Sequence, residues 1–421
     1  MEIKKKVKHK VKHTEERYIE MARGVIFALF MGAILGVVGG AFYICIVRVT
    51  EFREAYPWMI FFLPVTAVII LFFYHMLHGD RDKGTNLVLA SIQSDEDVPL
   101  RMSALIFVST VLSHLVGASV GREGAALQIG GAVGNFLGRL FKFSNEEKKT
   151  LTMVGMSAMF SALFGTPIAA AFFSLEVVSV GIMHYGALLP CVLASFVARG
   201  VADYMGAPSP FFNIGSLPGF DGMSALKIAG LAALCGIVSI LFCVLLRYGE
   251  IFGKKFLKNK YIRAAVLGTV VLGLTLLVGD QTYNGAGVDY INACVAGKEV
   301  PLGFLIKIGF TVLSIVAGYR GGEIVPSFFI GASFGCLYGN LLGFEPALCA
   351  AIGMGAVFCG VTNCPVTSLL ICCELFGFEG SLYFLLACAV SYMFSGYYGL
   401  YTSQKIVYSK FKSNYIDKKV Q

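Results

Sequence analysis

The chain of 421 residues is 57% apolar and only 14% charged, with a mean hydropathy of +0.74, against about 45–50% and about 25% in soluble domains. That balance excludes a soluble enzyme, a disordered chain and a disulfide scaffold, and leaves a polytopic membrane protein. The net charge of +8 resides at the ends: residues 1–23 hold eight Lys/Arg against four Glu, residues 405–421 hold five Lys against Asp417, and the 381 residues between them sum to zero. A neutral apolar body with two basic ends does not read as a nucleic-acid binder.

A spanning helix takes about 20 mainly apolar residues. Segments without Asp, Glu, Lys or Arg run over 24–47, 55–79, 102–121, 151–175, 177–198, 228–246, 264–279, 324–344, 346–373 and 380–404. A soluble protein has no interior for ten such segments. The first is too long for a signal-peptide core and lacks a small-residue cleavage site, so it reads as retained. Gly165-Thr166-Pro167, Pro326 and Pro365 interrupt the later segments, which predicts short, tilted or re-entrant helices in an all-α architecture. The basic segments 1–23, 247–263 and 405–421 belong in the cytoplasm by the positive-inside rule. The Gly-, Pro- and Phe-rich linker 201–226 then lies outside or at the outer interface. The expected division is a basic tail (1–23), a first membrane repeat (24–200), the linker (201–226), a second repeat (227–404) and a basic tail (405–421), in a bacterial-type inner, or plasma, membrane. Basic ends of this kind can also touch anionic lipid.

The twelve cysteines form no CxxC pair, and the six histidines (His9, His13, His75, His78, His114, His184) show no ligand spacing. They predict reduced, packed thiols, with no metal, no cofactor and no enzyme chemistry.

The halves repeat. Gly121-Arg122-Glu123 recurs as Gly321-Gly322-Glu323 and Gly131-Ala132 as Gly331-Ala332, both 200 residues on. Gly155-Met156-Ser157-Ala158-Met159-Phe160 matches Gly353-Met354-Gly355-Ala356-Val357-Phe358, Pro167 matches Pro365, and Glu176 matches Glu374, all at an offset of 198. Transporters built from repeats bind substrate where interrupted helices of the two halves meet, because helix N-termini offer free N–H groups to an anion. The matched glycine-rich segments 117–135 and 317–335 also suit close helix packing.

Ionisable residues inside a membrane are functional candidates: here Arg122, Glu123, Glu176, Arg320, Glu323 and Glu374. The symmetric placing of Glu176 and Glu374 suggests a shared structural task, satisfying backbone groups or pairing with an arginine. Glu123 and Glu323 stand at helix openings, where a carboxylate is either a helix cap or a competitor of the anion for the positive helix ends. In the second case protonation releases Glu123, so that one residue couples proton and anion movement.

Gly121-Arg122-Glu123-Gly124 with Gln128, then Gly321 to Pro326 leading into Gly331-Ala332, and the segment 396–404 resemble motifs of the CLC family of anion channels and proton–anion antiporters. The likeness runs from about residue 24 to 405. It implies two inverted repeats per subunit, a homodimer, and one pore per subunit, with no nucleotide-binding CBS tail after residue 405. It maps the gating glutamate to Glu123, with Ala125 in place of the usual proline. The anion site maps to Gly121, Arg122, Gly124, the backbone amides of Ile324 and Val325, and Tyr401. The chloride-type GSGIP motif is absent; Lys83 to Val88 stands in its place, putting Thr85 and Asn86 at the anion. Val177 replaces a second internal glutamate, and Glu323 replaces an apolar residue. This pattern resembles the fluoride-exporting CLC-F branch, although that branch often has Thr where Val325 stands and Met near Thr85. The resemblance implies fluoride export against proton entry, with Glu123 as gate and proton carrier and Glu323 orienting substrates or relaying the proton. A chloride/proton antiporter or chloride channel is the alternative.

Overall fold

The computed structural model describes residues 2–79, 83–94, 96–215, 217–298, 301–412 and 414–421, with side chains from Met21 onward. Among them are sixteen α-helices: α1 (Glu2–Ala55), α2 (Leu63–Met76), α3 (Thr85–Gln93), α4 (Arg101–Leu115), α5 (Glu123–Leu140), α6 (Asn145–Phe164), α7 (Pro167–Glu176), α8 (Leu188–Tyr204), α9 (Gly222–Phe256), α10 (Lys260–Val278), α11 (Val288–Val295), α12 (Gly303–Ala317), α13 (Ile324–Leu342), α14 (Pro346–Thr362), α15 (Pro365–Phe376) and α16 (Ser381–Phe394). Six helical stretches are long and apolar enough to cross a membrane. Most of the others are shorter, as the Gly/Pro interruptions predict, while α5 and α6, of 18 and 20 residues, are less apolar. The basic side chains of residues 1–20 lie outside the described set.

Local chemistry sets the helix ends. Ser144 and Glu147 form a capping box at the start of α6, and the carboxylate of Asp221 accepts the Ser224 N–H at 2.7 Å to open α9. Proline supplies the first residue of α7, α14 and α15, where its missing N–H has no intrahelical partner to lose.

The repeat is visible as geometry. α5, α6 and α7 correspond to α13, α14 and α15. In each trio the first two helices cross at paired glycines: a Cβ on Gly130 would sit 2.1 Å from the Gly155 carbonyl oxygen, and one on Gly331 would sit 2.2 Å from that of Gly353. No side chain fits either crossing. Each second helix ends in a left-handed residue, Gly165 at φ +78 and Asn363 at φ +59, and a proline then opens the short third helix.

The two trios are stitched by their carboxylates. Glu176, at the end of α7, accepts the Val366 and Thr367 N–H groups at 3.1 and 2.8 Å and the Thr367 hydroxyl at 2.6 Å. Glu374, near the end of α15, accepts the Ile168 and Ala169 N–H groups at 3.0 and 2.8 Å. Each repeat thus caps the short helix of the other, which is the shared backbone task expected of the pair.

Two parts differ from the sequence expectation. α12 is an apolar helix that Lys307 hides from a charge-free scan; its ammonium is buried and donates to the Tyr283 and Gly285 carbonyls at 3.0 and 2.8 Å. Residues 405–421, which their charge marks as a basic tail, contain two strands, β2 (Lys405–Tyr408) and β3 (Tyr415–Lys419). They form a three-stranded sheet with β1 (Ser179–Val180), β2 lying between β1 in parallel and β3 in antiparallel pairing. Val180, Ile406 and Val420 make its small apolar core.

Candidate functional site

The site begins at a two-residue bridge between the repeats. The Gly121 N–H donates to the Gly322 carbonyl at 2.6 Å, and the Gly322 N–H returns to the Gly121 carbonyl at 2.9 Å. A Cβ on Gly322 would lie 2.5 Å from the Gly124 nitrogen, so only glycine allows this approach. The bridge sets the openings of α5 and α13 against each other, and helix openings carry free N–H groups and the positive ends of the helix dipoles.

Glu123 is the first residue of α5 and is 1% exposed. Its Oε2 accepts the Arg122 N–H at 2.9 Å, and its own N–H and that of Val325 face the same carboxyl. Oε1 has no hydrogen-bond partner and lies 3.6 Å from Arg122 Nε. This is not a helix cap, since the side chain reaches back to the preceding amide and across to the opposite repeat. The carboxylate therefore occupies the place where amides of both repeats converge. Arg122 stacks its guanidinium over Tyr43 at 4.8 Å and so accompanies the carboxylate.

The remaining sequence candidates gather around this point, in differing roles. Ile324 and Val325 open α13 and are buried. Thr85 follows Gly84, whose φ is +61. Its hydroxyl donates to the Gly124 carbonyl at 3.3 Å and accepts from Gln128 Nε2 at 3.3 Å. Tyr401 is buried with an unpartnered hydroxyl in the electrostatic neighbourhood of both Glu123 and Glu323. Glu323 precedes α13 without capping it and lies near Arg320. Gly121 spends its N–H on the bridge, so its part is to join the repeats. Asn86 Oδ1 accepts the Ser403 N–H at 2.9 Å, bracing the loop that carries Tyr401.

A cavity of about 1190 Å³ opens where α1 ends, opposite its basic start. Buried Arg53 and His114, with Arg122, line its floor, while Glu51, Glu54, Asp280 and Asp289 are exposed around it. Neither Arg53 nor His114 carries a spacing signal in the sequence: Arg53 stands among the charges of Glu51 and Glu54, and His114 is a lone histidine in an apolar helix. Asn363, Gln404 and Lys410 have one pointer, the break in repeat symmetry at Asn363 against Gly165.

Paired helix openings that hold a carboxylate between two inverted repeats define an anion transporter of the repeat class. The voltage gated chloride channel family model matches residues 65–396. The chain is 34% identical over 397 residues to a chloride/fluoride channel protein of Pseudomonas syringae pv. tomato, covering 93% of this chain and 88% of that one. To an H+/Cl− exchange transporter of Vibrio cholerae it is 25% identical, with 83% and 81% covered. The crystal structure of a CLC-type fluoride/proton antiporter superposes with a TM-score of 0.88 at 32% identity, covering 92% of this chain and 98% of that one. That of a slow cyanobacterial Cl−/H+ antiporter shares the fold, at a TM-score of 0.75 and 17% identity over 89% and 94% of the two chains. The chain belongs to the voltage gated chloride channel, or CLC, family.

Proposed function

We propose that this membrane protein exports fluoride in exchange for protons, one pathway per subunit of a homodimer in the plasma membrane, with both basic ends in the cytoplasm. The observation that carries the reading is the Glu123 carboxylate seated among amides of both repeats. There it excludes an anion while charged and vacates the place once protonated. Glu123 is the gate and proton carrier, and Glu323, on the far side of the bridge, is the proposed relay. The anion's donors are the Ile324 and Val325 amides and the hydroxyl of Tyr401; the Thr85 hydroxyl, whose proton goes to the Gly124 carbonyl, braces the opening of α5, with Arg122, Gly124 and Asn86 also in support. Several fixed donors suit fluoride, whose tightly held water must be replaced. The binding and release it describes involve no covalent chemistry, and the lipid contacts of the basic ends are electrostatic.

Outward F⁻ and inward H⁺ both move positive charge inward. At roughly 2.3 kcal/mol per charge per 100 mV, a one-for-one exchange gains about 4.6 kcal/mol per 100 mV of inside-negative potential. The relatives of known name include a fluoride/proton antiporter and H+/Cl− exchangers, so anion choice is the decisive measurement. Purified protein in liposomes is expected to release F⁻ faster than Cl⁻ and to take up protons as it does so. Equal or faster Cl⁻ release overturns the fluoride assignment. Glu123→Gln is expected to abolish proton uptake, and persistent exchange in that variant removes Glu123 from its role.

A further inference from the structure

Tyr401 lies in no helix or strand, so something other than secondary structure must hold its hydroxyl in the pathway. Its loop is pinned on every side. The Leu400 N–H donates to the Val361 carbonyl at 2.9 Å, the Asn363 amide donates to the Tyr398 carbonyl at 3.0 Å, and Gln93 Nε2 reaches the Ser403 carbonyl at 3.0 Å. Gln404 closes the loop. Fully buried, it donates from Nε2 to the Val177 and Thr362 carbonyls, both at 2.9 Å. Its Oε1 accepts from Asn363 Nδ2 at 3.1 Å, and its own N–H donates to the Tyr401 carbonyl at 3.0 Å.

β2 continues directly from Gln404, and the chain end then folds back onto the loop: the Val420 N–H donates to the Gln404 carbonyl at 3.2 Å, and the Gln421 N–H to the Tyr397 carbonyl at 2.9 Å. Between the strands Lys410 turns inward. Its ammonium donates to Asn363 Oδ1, the Tyr392 carbonyl and the Ser395 hydroxyl, one acceptor for each of its three protons. Asn363 is the hub, one end of its amide holding the Tyr401 loop and the other holding Lys410. The first repeat has Gly165 at the matching left-handed position, where glycine is the ordinary choice and asparagine the tolerated one. A side chain has been added where the backbone alone needs none.

We infer that the C-terminal hairpin is a clamp on the anion pathway, with Lys410 a positioning residue that acts through Asn363 to fix the Tyr401 hydroxyl. The inference rests on the fluoride reading for its substrate and on the hydrogen-bond chain for its geometry. A buried charge satisfied by three acceptors contributes uniqueness of position more than stability, so its loss should show in binding before folding.

The full-length protein is tested as Lys410→Met, Lys410→Arg, Asn363→Gly, Tyr401→Phe and Lys410→Met/Tyr401→Phe. Asn363→Gly keeps the backbone conformation while removing the hub. Lys410→Met and Asn363→Gly are each expected to raise the KM for fluoride about tenfold, with maximal turnover changed less than twofold and Lys410→Arg restoring most of the loss. In the Tyr401→Phe background Lys410→Met should add nothing, the non-additivity of groups acting through one atom. A wild-type fluoride KM in both single variants, or an additive double variant, overturns the clamp. Hydrogen exchange provides a readout independent of the ion carried: the Leu400, Ser403 and Gln404 amides should exchange at least tenfold faster in Lys410→Met. If the protein carries chloride and not fluoride the function reading fails, while unchanged exchange at these amides sinks the clamp whatever ion is carried.

Discussion

At the residue scale, Glu176 and Glu374 show how a carboxylate inside a membrane can be structural. Each satisfies two N–H groups at the start of a helix of the other repeat. Glu176→Gln turns one acceptor oxygen into a donor facing amides. Hydrogen bonds to a charged group contribute about 1.5–3 kcal/mol, so the expected cost is about 3 kcal/mol. Thermal unfolding in detergent should show a clear fall for Glu176→Gln and a smaller one for the less buried Glu374→Gln; an unchanged midpoint for the first refutes the capping role. Lys410 provides a second test, through pH. Burial pushes its ammonium down to about 8 from 10.5, with nearby cysteine thiols opposing the shift. Between those values the undocked hairpin binds more protons at this site than the docked one. Docking therefore strengthens as pH rises through that window and is weakest below pH 8, the neutral amine keeping two of the three hydrogen bonds. Protease resistance of the hairpin should increase from pH 7.5 to 10 in the wild type and stay flat in Lys410→Met.

At the scale of elements, the helix crossings rest on absent side chains. Gly130→Ala and Gly331→Ala each force a methyl group to within about 2.2 Å of a carbonyl oxygen on the neighbouring helix, and overpacking of this kind costs roughly 1–3 kcal/mol or more. Gly273→Ala and Gly309→Ala meet nothing within 4 Å and remove a helix-interior glycine, so they should be neutral or stabilising. Size-exclusion profiles of the four variants separate the cases, and a well-behaved Gly331→Ala would contradict the crossing geometry. Gly155, Gly331 and Gly353, the prolines and the four repeated carboxylates were legible from the sequence because their residue types recur. The crossing partner of Gly155, however, is Gly130, one residue before the Gly131 that the repeat matched to Gly331, and Gly131 instead faces Val88. α12 was not, since a rule that counts charges cannot see that the Lys307 ammonium meets two turn carbonyls. The hairpin escaped for the same reason: five lysines read as a solvated tail, while one of them is buried. The motif likeness put Asn86 at the anion, and the use of its carbonyl oxygen on the Ser403 amide was not legible, because it depends on a segment more than 300 residues away.

At the scale of the whole molecule, the large cavity has a basic floor under an acidic surround. In the proposed orientation it faces outward, so the exposed carboxylates repel anions that would re-enter and attract protons. Exposed charges of this kind act on encounter rates and are screened by salt. Neutralising Glu51, Glu54, Asp280 and Asp289 together should raise inward anion flux severalfold at low ionic strength and leave it unchanged near 1 M salt. A salt-independent increase, or none, rules out this electrostatic bias.

The reciprocal caps divide the helix openings into two kinds. Those of α7 and α15 are each closed by a carboxylate of the opposite repeat, Glu374 and Glu176. Those of α5 and α13 share Glu123, with Glu323 standing at α13 without capping it. Duplication thus left one pair of openings permanently sealed and one pair tenanted, and the exchange proposed for this protein belongs to the tenanted pair.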